Sequence, residues 1–151
     1  MGLDTDITKL PLGISKDTEG ILQFNKEIIN ATKDFAVSYK INTAFYEQLG
    51  SKGWNIIEKT REMIPSNTLS IADAKRGDIG NTSTMYAKAF FETMDFDALT
   101  VAPYMGYDSV EPFLKFNNKI TIVLGLTSNE GSADFQTNQI YDPPLYKTVL
   151  E

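Results

Sequence analysis

Thr68-Leu69-Ser70-Ile71-Ala72-Asp73-Ala74-Lys75-Arg76-Gly77-Asp78-Ile79-Gly80-Asn81-Thr82 is the stretch on which the reading of the fold turns. It opens as a β-prone run, Thr68 to Lys75, and leads through a glycine-bearing turn into a helical segment, Thr82 to Met94. Successive side chains on a strand point to opposite faces. Leu69, Ile71, Asp73 and Lys75 therefore share one face, and Ser70, Ala72 and Ala74 share the other. The second face is small enough for a helix to pack closely. The first begins apolar and ends in a carboxylate and an ammonium at the strand's C-terminal end, where parallel α/β folds place their ligands.

The same alternation runs outward in both directions. Met1 to Asp4 reads as the end of a first strand. Ile21 to Thr32 has helical spacing at Ile21, Phe24, Ile28 and Ala31. Phe35 to Ile41 reads as a strand, with Ala36, Ser38 and Lys40 on one face. Ala44 to Ile64 reads as helical, interrupted near Gly50 to Gly53. Downstream, Asp97 to Ala102 and Lys119 to Leu126 read as strands. Asp108 to Phe116 reads as a short helix with Asp108 or Ser109 as its cap and Pro112 in a first turn, and Leu145 to Glu151 as the start of another helix. Met85, Ala89 and Phe90 form an expected core stripe, with Trp54 and Phe91 as further packing residues. About five βα units in succession imply a parallel sheet with right-handed crossovers. The pattern fits both a doubly wound sheet and part of a (β/α)8 barrel.

The first three strands end in charge: Asp4, then Lys40, then Asp73 and Lys75, followed by Asp78 and Thr82. Any one of these alone reads as a solvated strand end or a structural ion pair. Alternating ammonium and carboxylate groups on consecutive strands would hold one another ionised. They could present an ammonium to a reacting carbon and a carboxylate to a departing group.

Composition narrows the chemistry. The 151 residues include neither histidine nor cysteine. Ser-His-Asp triads, thiol chemistry, disulfides and His-bearing metal sites are therefore excluded. Proton transfer falls to Asp, Glu, Lys, Tyr or water. A net charge of −6 and a pI of about 4.7 do not suit nucleic-acid binding. Hydrophobic residues make up 42% and mean hydropathy is −0.22, so a single soluble domain over residues 1–151 is expected, with no membrane span, no secretory leader and a cytoplasmic location. No P-loop or G-x-G-x-x-G is present, which argues against a plain phosphate-binding α/β domain.

Asp73-Ala74-Lys75-Arg76-Gly77-Asp78-Ile79-Gly80-Asn81-Thr82 closely resembles the D-x-K-x-x-D-I-x-x-T pattern of orotidine 5'-phosphate decarboxylases of the longer bacterial type. Gly2-Leu3-Asp4, Lys40 to Glu47, Thr100 to Gly106 and Leu126 to Asn129 resemble the family's first, second, fourth and fifth strand ends, in collinear order. The resemblance implies a (β/α)8 TIM barrel that acts as a homodimer with shared active sites. It would convert orotidine 5'-phosphate to UMP and carbon dioxide in pyrimidine synthesis, with no cofactor and no metal. Lys75 would protonate C6 of the pyrimidine, and Asp73 would sit beside the departing carboxylate. Lys40 would pair with the carboxylates and reach the ribose. Asp78, with Ile79 and Thr82, would come from the partner subunit. Asp4 would contact the ribose, and Ser128, beside Thr127, the pyrimidine edge.

A complete barrel of this kind runs to about 250 residues. The chain is thus expected to supply an incomplete barrel lacking strands six to eight, which in the family carry the phosphate-gripping loop and its arginine. On that expectation the chain as it stands binds substrate poorly and turns it over weakly or not at all. Two other readings remain: an inactive or purely structural module of the same barrel, and a metal-dependent sugar-phosphate decarboxylase or aldolase of the same superfamily. The run from Arg76 to Thr82 argues against the latter.

Overall fold

The computed structural model describes residues 1–138 and 142–151. Four parallel strands lie side by side in chain order: β1 (Ser38–Asn42), β2 (Leu69–Arg76), β3 (Ala98–Val101) and β4 (Ile120–Val123). Helices fill the crossovers: α1 (Thr18–Thr32), α2 (Ala44–Glu47), α3 (Ser51–Met63), α4 (Gly80–Lys88), α5 (Tyr107–Leu114) and α6 (Leu145–Leu150). Sequential parallel order, with the helices on one face, is the arrangement of a barrel wall rather than of a doubly wound sheet.

The expected first strand is reduced to one bridge. Gly2 pairs with Lys40, through Lys40 N–H to the Met1 carbonyl at 2.9 Å and Leu3 N–H to the Lys40 carbonyl at 2.8 Å. The second strand starts later than its β-prone composition suggests. Phe35 and Ala36 still donate their N–H groups to the Thr32 carbonyl and so finish the turn that ends α1. Phe35 and Val37 are consequently 88% exposed, and pairing begins at Ser38.

The core lies between sheet and helices. Tyr39, Ile41, Ala72, Leu99 and Val101 point to the helical layer and meet Ile21, Ile29, Ile56, Ile57, Phe90, Phe91 and Phe113. Ser70 and Ala72, on the small face of β2, are fully buried. The inner face, with Leu69, Ile71 and Ile122, is only partly covered, as in an open section of barrel wall.

Local sequence accounts for some of the helix starts. The Asp17 carboxylate caps α1 by accepting from Gly20 N–H at 2.8 Å. Gly50, at φ +62, breaks the predicted long helix into α2 and α3. Two expectations are corrected. Met85 is 51% exposed, because the buried side of α4 is Ser83 and Ala87, and a π-helical turn at Ala89–Thr93 then turns Phe90 and Phe91 inward. Helix α5 begins at Tyr107 after Gly106, at φ +94, without a side-chain cap. The Ser109 hydroxyl instead donates to the Gly106 carbonyl at 2.6 Å. Pro112 therefore falls in the second turn of α5 and not the first. Trp54, on α3, packs against Phe90 at a ring separation of 6.1 Å.

Candidate active site

The strand register brings the charged residues together. Asn42 pairs with Asp73 across β1 and β2, Lys40 pairs with Ile71, and the bridge at Gly2 sets Asp4 beside Lys40. Asp73 is the centre of the group and is itself buried. Its Oδ1 accepts from Lys75 Nζ at 2.5 Å and from the Thr100 hydroxyl at 3.0 Å. Its Oδ2 accepts from Lys40 Nζ at 3.1 Å, and Lys40 also reaches Asp4 Oδ1 at 3.4 Å. A chain Asp4–Lys40–Asp73–Lys75 thus alternates in sign along the C-terminal ends of adjacent strands.

Burial by itself would raise the Asp73 carboxyl. The hydrogen bonds from Lys75 and Lys40, the Lys40 charge and the Thr100 hydroxyl outweigh it and hold the group below its ordinary value. Asp73 is therefore a carboxylate throughout the neutral range. Lys75 reaches it from a left-handed backbone, φ +48, which costs a non-glycine residue roughly 1–2 kcal/mol.

The N-terminal segment is tied down although it barely joins the sheet. Tyr46 donates its hydroxyl to the Leu3 carbonyl at 2.6 Å and accepts from Asn25 Nδ2 at 3.1 Å. Asn25 also donates to Thr60 and accepts from Thr5 at 2.6 Å. This buried polar cluster fixes Leu3 and hence the neighbouring Asp4. Asn25 stands at a position that helical spacing assigns to the apolar face, so nothing short of its burial distinguishes it in the sequence.

Asp78 is not drawn into the array. Its carboxylate accepts from Ile79 N–H at 2.8 Å and, among the described residues, forms no ion pair. Ile79 is 64% exposed, and Thr82 and Ser128 are exposed as well. Thr127, next to Ser128, is engaged instead, through its N–H to Gln136 and its hydroxyl to Asn129. Arg76, which follows Lys75, turns toward the helices. It pairs with Glu47 and lies over the rings of Tyr86 and Phe90, 5.5 and 5.4 Å from their centroids. Thr100, a member of the site, was not singled out in the sequence, and neither was Arg76, which lies on the helical side. Thr100 is the polar member of an otherwise apolar strand, and its place opposite Asp73 to Lys75 emerges only from the strand register.

Parallel strands in sequential order, helices on one side and a charged group at the C-terminal strand ends define a partial (β/α)8 barrel with a site in the enzymatic position of that fold. The family is then shown by comparison. The profile of the orotidine 5'-phosphate decarboxylase/HUMPS family matches residues 9–150, and the chain belongs to that family. The orotidine 5'-phosphate decarboxylases of Flavobacterium johnsoniae and Christiangramia forsetii are 58% and 56% identical over the whole chain, which covers 56% and 57% of their lengths. The chain thus spans a little over half of the curated relatives it matches. Among solved structures, Leishmania donovani OMP decarboxylase superposes with a TM-score of 0.88 at 36% identity, covering 98% of this chain and 56% of that one. Leishmania donovani UMP synthase superposes at 0.90, again at 36% identity, covering 99% of this chain and 32% of its own.

Proposed function

We propose that this chain supplies the catalytic wall of an orotidine 5'-phosphate decarboxylase that releases carbon dioxide and forms UMP. The observation that carries the reading is the clamp on Asp73, whose two carboxylate oxygens are held by two different strand-end ammonium groups, Lys40 and Lys75. The C6–carboxylate bond of the substrate breaks heterolytically. Carbon dioxide leaves and the electron pair stays on C6. The Lys75 ammonium stabilises that charge and then delivers its proton to C6, so that UMP carries the new C–H bond and solvent later reprotonates the amine. Asp73 keeps Lys75 charged and aimed, and faces the departing carboxylate. Lys40 and Asp4 contact the ribose, and Ser128 the pyrimidine edge.

Asp78, Ile79 and Thr82 act in the partner subunit's site. The Asp78 carboxylate, which forms no ion pair among the described residues, and the exposed apolar side chains of Ile79, Met85, Tyr104 and Tyr107 support a homodimer through this surface. The phosphate is gripped by parts of the barrel beyond this wall, and binding energy gathered there lowers the barrier at C6.

The test is UMP formation from orotidine 5'-phosphate by the natural polypeptide that carries this sequence. Lys75→Ala should lower turnover by at least roughly 10²–10⁴-fold, the range for a positioned general acid. Its fold should be unchanged, since Lys75 is half exposed. Absence of UMP formation by the wild type, or near-normal turnover by Lys75→Ala, would refute the assignment.

A further inference from the structure

Strand β2 bulges beside the site. Ala72 pairs with Leu99 and Arg76 with Val101, so Asp73, Ala74 and Lys75 together face a single residue of β3, Thr100. A bulge leaves backbone groups outside the regular ladder. The Lys75 N–H is such a group: it donates to the Thr100 hydroxyl oxygen at 2.9 Å rather than to a β3 carbonyl. The same hydroxyl donates to Asp73 Oδ1 at 3.0 Å. Beyond the bulge the ladder resumes with Ala102 N–H to the Arg76 carbonyl at 2.8 Å.

We propose that Thr100 is a positioning residue for the reaction: its one hydroxyl replaces the ladder bond of the bulge and locks the Asp73 carboxylate against the Lys75 ammonium. The inference rests on the decarboxylase reading above, because it gives Thr100 its task through Lys75. The direction of each hydrogen bond is fixed. A carboxylate only accepts and an amide N–H only donates, so the hydroxyl must accept from Lys75 and donate to Asp73. A backbone carbonyl in its place could take the Lys75 N–H but would repel Asp73. Valine, of the same shape, could do neither. Threonine also suits the strand through its branched Cβ. It is 7% exposed, so water does not substitute easily for it. The relay runs from N–H through O–H to carboxylate, and each link polarises the next. It ends on the oxygen that the Lys75 ammonium also touches. The left-handed backbone and the ammonium of Lys75 are thereby held from one point on the neighbouring strand.

Thr100→Val, Thr100→Ala and Thr100→Ser, made in the natural polypeptide, test this directly. Val and Ala should lower kcat by roughly 10–100-fold with KM changed less than about threefold, the pattern of a mispositioned reacting group. The Lys75 amide should exchange with solvent at least about tenfold faster. The Asp73 carboxyl, followed by NMR, should titrate at higher pH. Serine should keep all three within about threefold of wild type. Wild-type kcat together with wild-type Lys75 exchange in the valine or alanine variant would overturn the inference, and so would a serine variant as impaired as valine. If the valine variant does not fold, alanine and serine decide the matter. If the wild type forms no UMP, the decarboxylase reading fails on its own, while Lys75 exchange and the Asp73 titration still show whether the hydroxyl holds the pair.

Discussion

Asp73 is the residue whose ionisation the fold exploits most. Its folded-state carboxyl lies below the ordinary value of 3.8, so its ionised form stabilises the folded chain above that pH. The contribution is lost as pH falls through the folded-state value. Asp73→Asn should therefore be less stable than wild type near about pH 7, where it leaves Lys75 without its counter-charge and Lys40 with Asp4 alone. The gap should narrow as both proteins are taken toward about pH 3. Urea denaturation at several pH values reads this, and a gap that does not change with pH would show that the clamp adds nothing to stability. At this scale the sequence was informative where a charge ended a strand. Alternation put Asp73 and Lys75 on one face of their strand and Lys40 near the C-terminal end of its own, but it could not foresee that the β2 strand bulges from Asp73 to Lys75. Thr100 escaped notice because a hydroxyl among apolar strand residues looks like ordinary core. Its importance comes from the bulge opposite, and a bulge has no fixed signature in composition.

Among the elements, the β2–β3 pair positions the site, and its tightest point is just past the bulge. A Cβ added at Gly77 would stand 2.7 Å from the Ala102 carbonyl oxygen, a backbone atom that cannot swing away. Gly77→Ala should force the strand ends apart and cost about 1–3 kcal/mol, within the range for overpacking, measured by chemical denaturation. A cost below a few tenths of a kcal/mol would mean that the turn yields freely. Element types were legible from hydrophobic periodicity, while element edges were not. Phe35 and Val37 are strand formers by composition, yet helix α1 claims Phe35 and Ala36 for its closing turn. Met85 fits a stripe drawn with a constant helical period, but the π-helical turn after α4 breaks that period and leaves it outside. Gly50, by contrast, marked a true break because its backbone conformation is one that other residues avoid.

For the whole molecule, the parallel order of the strands follows from the alternation of strand and helix, but the choice of barrel over open sheet does not. The first needs only periodicity. The second came from motif resemblance, and the sequential strand order bears it out. Assembly is where Asp78, without an ion pair among the described residues, makes a quantitative demand. If each site joins Lys75 of one subunit to Asp78 of the other, Lys75→Ala and Asp78→Ala proteins are each inactive. Mixed with full subunit exchange, half the dimers are hybrids with one intact site, which restores about a quarter of wild-type activity. No recovery despite demonstrated exchange would place Asp78 outside the partner's site.

The contact between Trp54 and Phe90 has a practical side. Trp54 is the chain's one indole, 37% exposed, and the ring it leans on is also the ring beneath the Arg76 guanidinium. Intrinsic fluorescence therefore samples the seam between α3 and the π-helical turn, on the far side of the sheet from Asp73. An emission change on adding a nucleotide would have to travel through the wall of the barrel to be seen. An unchanged spectrum would be no sign of an empty site, and the instrument suited to that question is one that sees Lys75.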